Sequence, residues 1–173
     1  MIGANALTHS TDVGSKNIAV GYYAGNGNLI GAISSIMIGE KAMSSNIPII
    51  TRAIAIGRYA AYGSSYELES VNIGECAGSN VCYGPVKYAN AAPTYNGVQQ
   101  KYNIAIGSMA GRLGYRPLSA FAAIKNISIG YYSGNYGYGQ AGNNGRDMQM
   151  ENISIGTYSG LNNAYSNTVN IGV

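Results

Sequence analysis

The stretch NIAIGSMAG, Asn103 to Gly111, is one copy of a phrase that runs through the chain and decides its fold. An aliphatic residue, a small or polar one, a second aliphatic and a glycine are followed by two variable positions and then Ala or Ser. The same phrase reads NIAVGYYAG from Asn17, IMIGEKA from Ile36, IAIGRYA from Ile54 and VNIGECAG from Val71. It returns as NISIGYYSG from Asn126 and NISIGTYSG from Asn152. IGANA at Ile2 starts inside it, and VNIGV at Val169 stops inside it.

Counted on the central glycine (Gly3, Gly21, Gly39, Gly57, Gly74, Gly107, Gly130, Gly156, Gly172), the steps are 18, 18, 18, 17, 33, 23, 26 and 16 residues. Near-constant spacing of this kind means stacked units, each burying its apolar face against the next. The 33-residue step reads as two, with a degenerate rung at Val86 to Ala92 in which Tyr88 replaces an aliphatic and Ala89 the glycine.

Within each unit the aliphatics alternate with small residues, the period of a short strand. The glycine then allows a turn at positive φ. Gly and Asn interrupt every stretch that could be a helix. The expected fold is all-β: a parallel β-solenoid with rungs of about 18 residues. Nine steps at the ~4.8 Å strand spacing would give a rod about 43 Å long. In this reading the pairs Ile18 and Val20, Ile36 and Ile38, Ile54 and Ile56, Ile104 and Ile106, Ile127 and Ile129, and Ile153 and Ile155 form ladders inside the coil. The intervening small residues Ala19, Ala55, Ala105, Ser128 and Ser154, with Met37, Asn72 and Asn170, then make a flat outer face. Such a face suits a close subunit contact, and a thin solenoid gains burial by association. A homotrimer about the long axis is the expected assembly.

Composition removes several classes of function. Of 173 residues 25 are Gly, about twice the usual ~7%. Charged residues are 10% against a usual ~25%, and the net charge of +3 comes from scattered bases with no nucleic-acid or anionic-membrane patch. No apolar run approaches the ~18 residues of a membrane span, and no signal segment opens the chain. One His (His9), two Cys and seven carboxylates leave little material for a catalytic or metal centre. Asp12, Glu40, Glu67, Glu69, Glu75, Asp147 and Glu151 could in principle supply a carboxylate pair for glycan cleavage. The chain is nonetheless read as a non-enzyme without cofactor. The glycine string Gly142 to Gly145 follows no strand-to-helix transition, so it is no phosphate loop.

The phrase [N]-I-[AS]-I-G-x-x-[AS]-G resembles the head repeat of trimeric autotransporter adhesins, and still more the related repeats of bacteriophage tail fibres. The resemblance covers Gly3 to Gly172 apart from the inserts. It implies a trimeric left-handed β-roll and a structural, receptor-binding fibre segment in a virion. Its partners would be its own copies, neighbouring fibre or virion proteins, and a bacterial surface glycan or protein. The alternative is the head of a bacterial surface adhesin. A monomeric ice-binding solenoid ranks last, because Thr8, Thr11, Thr51, Thr94, Thr157 and Thr168 make no regular array. The chain departs from the family at the long steps and lacks the family's C-terminal chaperone, stalk and anchor. Both ends falling inside the phrase point to a segment of a longer fibre.

Function is expected where residues exceed the rung, at inserts 79–102 and 131–151 of a single repeat domain, 1–173. The second offers Tyr131, Tyr132, Tyr136 and Tyr138 with Asn143 and Arg146, rings for sugar C–H faces and polar groups for hydroxyls. Loops on a rigid scaffold commonly carry binding. The plainer alternative is a Gly-Tyr loop packed on its own rod or a neighbouring chain. Tyr83, Tyr88 and Tyr95 in the first insert admit the same two readings. Tyr23, Tyr59, Tyr132 and Tyr158, each two residues past a rung glycine, read as an aromatic ladder at a corner in preference to a binding strip. Cys76 and Cys82 could form a disulfide or remain thiols. The tail-fibre resemblance, with assembly in a reducing cytoplasm, favours thiols.

Overall fold

The computed structural model describes residues 2–7, 16–27, 33–44, 49–63, 66–79, 99–112, 122–134, 148–161 and 167–172. Among them there is no helix. Every strand is three residues long: β1 (Ile18–Val20), β2 (Ile36–Ile38), β3 (Ile49–Thr51), β4 (Ile54–Ile56), β5 (Tyr66–Leu68), β6 (Val71–Ile73) and β7 (Gln99–Lys101). They continue with β8 (Ile104–Ile106), β9 (Ala122–Ile124), β10 (Ile127–Ile129), β11 (Met148–Met150), β12 (Ile153–Ile155) and β13 (Val169–Ile171). Two parallel sheets result, β1-β2-β4-β6-β8-β10-β12-β13 and β3-β5-β7-β9-β11. Ile2 extends the first sheet by a bridge to Val20. The chain is an all-β parallel solenoid, and the repeated phrase is its first-sheet strand and the corner after it.

The phrase glycine is fixed by contact between rungs. A Cβ on Gly107 would lie 2.5 Å from the carbonyl oxygen of Gly130, and the same 2.5–2.6 Å approach recurs from Gly3 through Gly130. The stack leaves no room for a side chain. The phrase Asn has an equally direct cause. Asn103 Oδ1 accepts the backbone N–H of Asn126 at 2.9 Å, Asn126 Oδ1 that of Asn152 at 3.0 Å, and Asn152 Oδ1 that of Thr168 at 2.9 Å. A column of buried amides thus holds each rung to the next.

Inside and outside are the reverse of the sequence expectation. Ala19, Met37, Ala55, Asn72, Ala105, Ser128 and Ser154 are buried within the coil. Ile18, Val20, Ile36, Ile38, Ile54, Ile56, Ile104, Ile106, Ile127, Ile129, Ile153 and Ile155 face outward, none of them buried, with Ile18 at 49% and Ile106 at 37% exposure. The small residues are therefore not a surface contact in the single chain, nor are the aliphatics its core. From the Gly107 rung onward the interior is only as deep as a small side chain. A Cβ on Gly134 would meet Ser128 Oγ at 2.2 Å, and one on Gly111 would meet Ala105 Cβ at 3.1 Å. On these rungs a β-branched residue pointing inward would strike the opposite wall, whereas around β2 to β4 the interior takes in Met37, Met43 and Ile50.

The degenerate rung is also corrected. β6 pairs directly with β8, Val71 opposite Ile104, and Gly74 stacks on Gly107. No rung lies between them. Val86 to Ala92 fall outside the described residues, and the glycine stack explains why Ala89 could not replace a glycine in it. Eight rung steps then give about 38 Å at the ~4.8 Å strand spacing. The thiol expectation fails too: Cys76, buried at a corner, is disulfide-bonded. The chain's other cysteine, Cys82, lies outside the described residues.

Candidate binding edge

Each rung turns at the residue two past the glycine, which takes the left-handed conformation whatever its type: Tyr23, Lys41, Tyr59, Cys76, Met109, Tyr132 and Tyr158 all have φ of 54–58°. Backbone bonds stack these corners. Tyr132 donates its N–H to the Ser108 carbonyl at 3.0 Å, and Tyr158 to that of Tyr131 at 2.9 Å. Two columns result, one a single residue past the glycine and the other two past it, the second outward except at the buried Cys76. They flank one side of the aliphatic face.

The chemistry of this edge changes along the rod. In its middle the columns are charged: Glu40, Lys41, Arg58 and Glu75. Arg58 pairs with Glu75 across one rung. Lys41 Nζ donates to Tyr59 Oη at 3.2 Å and lies 5.2 Å from that ring's centre, and the bond raises the Lys41 pKa above its ordinary value. Further along, the columns become Ser108 and Met109, then Tyr131 and Tyr132, then Thr157 and Tyr158, with no charge. The Arg112 guanidinium touches the margin, 4.0 Å from Met109 Sδ. On the opposite flank of the aliphatic face, Lys125 and Glu151 pair at 3.1 Å, and Arg52 pairs with Glu69.

The uncharged end holds an aromatic cluster. Tyr132 and Tyr158 stack with centroids 5.5 Å apart and 29° between planes. Tyr131 stands edge-on to both, at 4.6 Å from Tyr132 and 5.6 Å from Tyr158. Tyr131 and Tyr158 remain 46% and 49% exposed. Desolvation, and then the neighbouring phenols, raise the Tyr131 pKa above its ordinary value.

The expected aromatic ladder is thus real for Tyr132 and Tyr158. Lys41 separates Tyr23 from Tyr59, which instead meet Tyr22 and Tyr62 edge-on. Tyr131 and Tyr132 of the expected binding set are brought together. Tyr136, Tyr138, Asn143 and Arg146 lie outside the described residues, as do Tyr83, Tyr88 and Tyr95. Tyr158 joins the cluster from the next rung, and its place two residues past a rung glycine was the signal for it.

The three longest stretches outside the described residues, 80–98, 113–121 and 135–147, fall at equivalent points of three consecutive rungs. The rod reaches Ser79, Arg112 and Gly134 and resumes at β7, β9 and β11, which are neighbours in the second sheet. The inserts are therefore shorter than their sequence bounds, since Tyr131–Gly134 and Met148–Glu151 belong to the rungs. Among the described residues no cluster of His, Cys, Asp or Glu could hold a metal, and no helix is long and apolar enough to cross a membrane. Comparison with protein families, curated proteins and solved structures returns no match.

Proposed function

We propose that this chain is a structural and receptor-binding segment of a bacteriophage tail fibre, a homotrimeric rod that presents loops for attachment to the host surface. The observation that carries the proposal is the outward aliphatic face, continuous along the first sheet. Ile2, Val169 and Ile171 extend it to both ends, at 69%, 66% and 76% exposure. A face of this size is costly to leave in water and fits burial between copies. The paired charges along both flanks suit the polar rim of such an interface. The clustering of the three long inserts at one edge supports the attachment role, since a rigid scaffold there supports loops of unrelated sequence.

A bacterial trimeric adhesin head is the second reading, and the Cys76 disulfide favours it, because structural disulfides persist in oxidising, extracellular settings. The test is native mass by light scattering, with two variants. A homotrimer of the 18.0 kDa chain gives about 54 kDa. Ile106→Asp should leave a folded, β-rich monomer, whereas Ala105→Arg should unfold the rung, because a lone charge would enter the coil. A wild-type mass of 18 kDa, or a trimer formed by Ile106→Asp, would remove the aliphatic face as the interface. Replacing 135–147 with a four-residue link, the number of residues between Ala61 and Tyr66 on the Gly57 rung, should keep the mass and abolish cell binding.

A further inference from the structure

We propose that the corner formed by Tyr131, Tyr132, Thr157 and Tyr158 is a subsite for an uncharged oligosaccharide. This rests on the attachment reading above and names the class of ligand. Charge supplies the first argument. The same two columns carry Glu40, Lys41, Arg58 and Glu75 in the middle of the rod and no charge across the rungs of Gly130 and Gly156. An acidic glycan or phosphorylated ligand would find no described cation on this pair of rungs facing that edge. Lys125 lies on the other flank and is already paired with Glu151.

The second argument is the form of the surface. Tyr131 and Tyr158 are about half exposed yet fixed by ring contacts at 4.6–5.6 Å, so ligand binding costs them little side-chain freedom. Each combines an apolar ring for the C–H face of a pyranose with a phenol for its hydroxyls. Thr157 adds a hydroxyl-bearing residue next to Tyr158 on the second of the two rungs. The third argument is spacing. Tyr132 and Tyr158, on successive rungs, have ring centres 5.5 Å apart. That step is comparable with the advance of one sugar unit, so the two rings suit neighbouring units of one chain.

The experiment uses the purified full chain with maltohexaose, cellohexaose and mannohexaose as neutral probes, and a hexamer of galacturonic acid as the acidic one. Binding is read by saturation-transfer NMR and by intrinsic emission, which here comes from tyrosine because the chain has no Trp. The expected result is binding of at least one neutral probe, weakened about tenfold by Tyr131→Ala or Tyr158→Ala. Tyr158→Phe should keep most of the affinity, because the ring remains. Circular dichroism and melting confirm that each variant is folded. No neutral binding, equal binding of the acidic hexamer, or wild-type affinity in both alanine variants would overturn the subsite. Binding only after 135–147 is replaced would mean that this insert occupies the corner, which also overturns it. Cell attachment is scored separately. Its loss on replacing 135–147, without any oligosaccharide binding, would retain the attachment reading and discard the subsite.

Discussion

Replacing Gly107 with alanine tests the physical basis of the rod. Gly107 has φ +125°, where an L side chain is strained by about 1–3 kcal/mol. Its new Cβ would also lie 2.5 Å from the Gly130 carbonyl oxygen. That oxygen belongs to backbone and cannot swing aside, so the two rungs must part. The adjacent bonds that would lengthen are Gly130 N–H to Ile106 O at 2.8 Å and Tyr132 N–H to Ser108 O at 3.0 Å. Each contributes about 0.5–1.5 kcal/mol net. Strain and parting together come to about 4 kcal/mol, a large share of the ~5–15 kcal/mol that stabilises a typical domain. Gly172 is the control. It has φ +144°, but an added Cβ would meet nothing within 4 Å, so Gly172→Ala should cost only the strain, about 2 kcal/mol. Urea unfolding followed by circular dichroism gives both values. If Gly107→Ala costs no more than Gly172→Ala, close stacking is not what selects glycine, and the account of the repeat fails.

The amide column gives a second expectation: Asn126→Ala should destabilise by about 1–3 kcal/mol, because the buried Asn152 N–H loses its acceptor. Thermal melting measures it, and a neutral result would mean that water replaces the amide. Stability should also fall as pH rises above about 10. Burial raises the Tyr62 phenol above its ordinary 10.0, hydrogen bonding to Tyr23 raises Tyr22, desolvation raises Tyr131, and Lys41 is raised from 10.5 by its bond to Tyr59. In each case the folded chain holds a proton that the unfolded chain has released, so stability is full below the unfolded pKa and is lost as pH climbs through the folded one. Melting from pH 8 to 12 should show that decline, with a set of late-titrating tyrosines in the ultraviolet; a flat profile would contradict it. Cys76→Ser should lower stability by about 2 kcal/mol, the loop-closure value for a bridge spanning so few residues. Unfolding with and without reductant checks this, and equal curves would remove the disulfide from the energetics.

Much of the fold was legible because a solenoid repeats its constraints. The glycine of each phrase, the Asn before it and the alternation between them report the stack, the amide column and the first-sheet strand. Alternation names two faces but does not say which is inward, and here the usual rule that aliphatics are buried misleads. A better signal was present: Gly111, Gly134 and Gly160, four residues past the phrase glycine, face the interior positions Ala105, Ser128 and Ser154 across the coil, and small residues opposite one another mean a narrow interior. The second sheet was not legible. β3, β5, β7, β9 and β11 read IIT, YEL, QQK, AAI and MQM, which share no pattern, because parallel register is imposed on them by the first sheet. Half of the candidate site was legible as tyrosines. Its second half, the loss of charge along the corner, needs the columns before it can be seen.

The interior changes along the rod in a way that bears on where association matters. Around β2 to β4 it is apolar, with Met37, Met43, Ile50 and several alanines buried. From β10 onward serines take over, satisfied by bonds between rungs: Ser133 Oγ donates to the Ser154 carbonyl at 2.7 Å, and Ser159 Oγ to that of Asn170 at 2.7 Å. Such bonds make burial affordable but add little net stability. The serine-filled rungs therefore gain less from their own core than the apolar ones. In a stack stabilised by nearest neighbours, that deficit stays local. Ile104, Ile106, Ile129 and Ile155, each more exposed than the aliphatics of β2, β4 and β6, lie on or beside these rungs. Covering them would restore the missing apolar burial where the inserts and the tyrosine corner are carried, which ties a rigid binding edge to assembly.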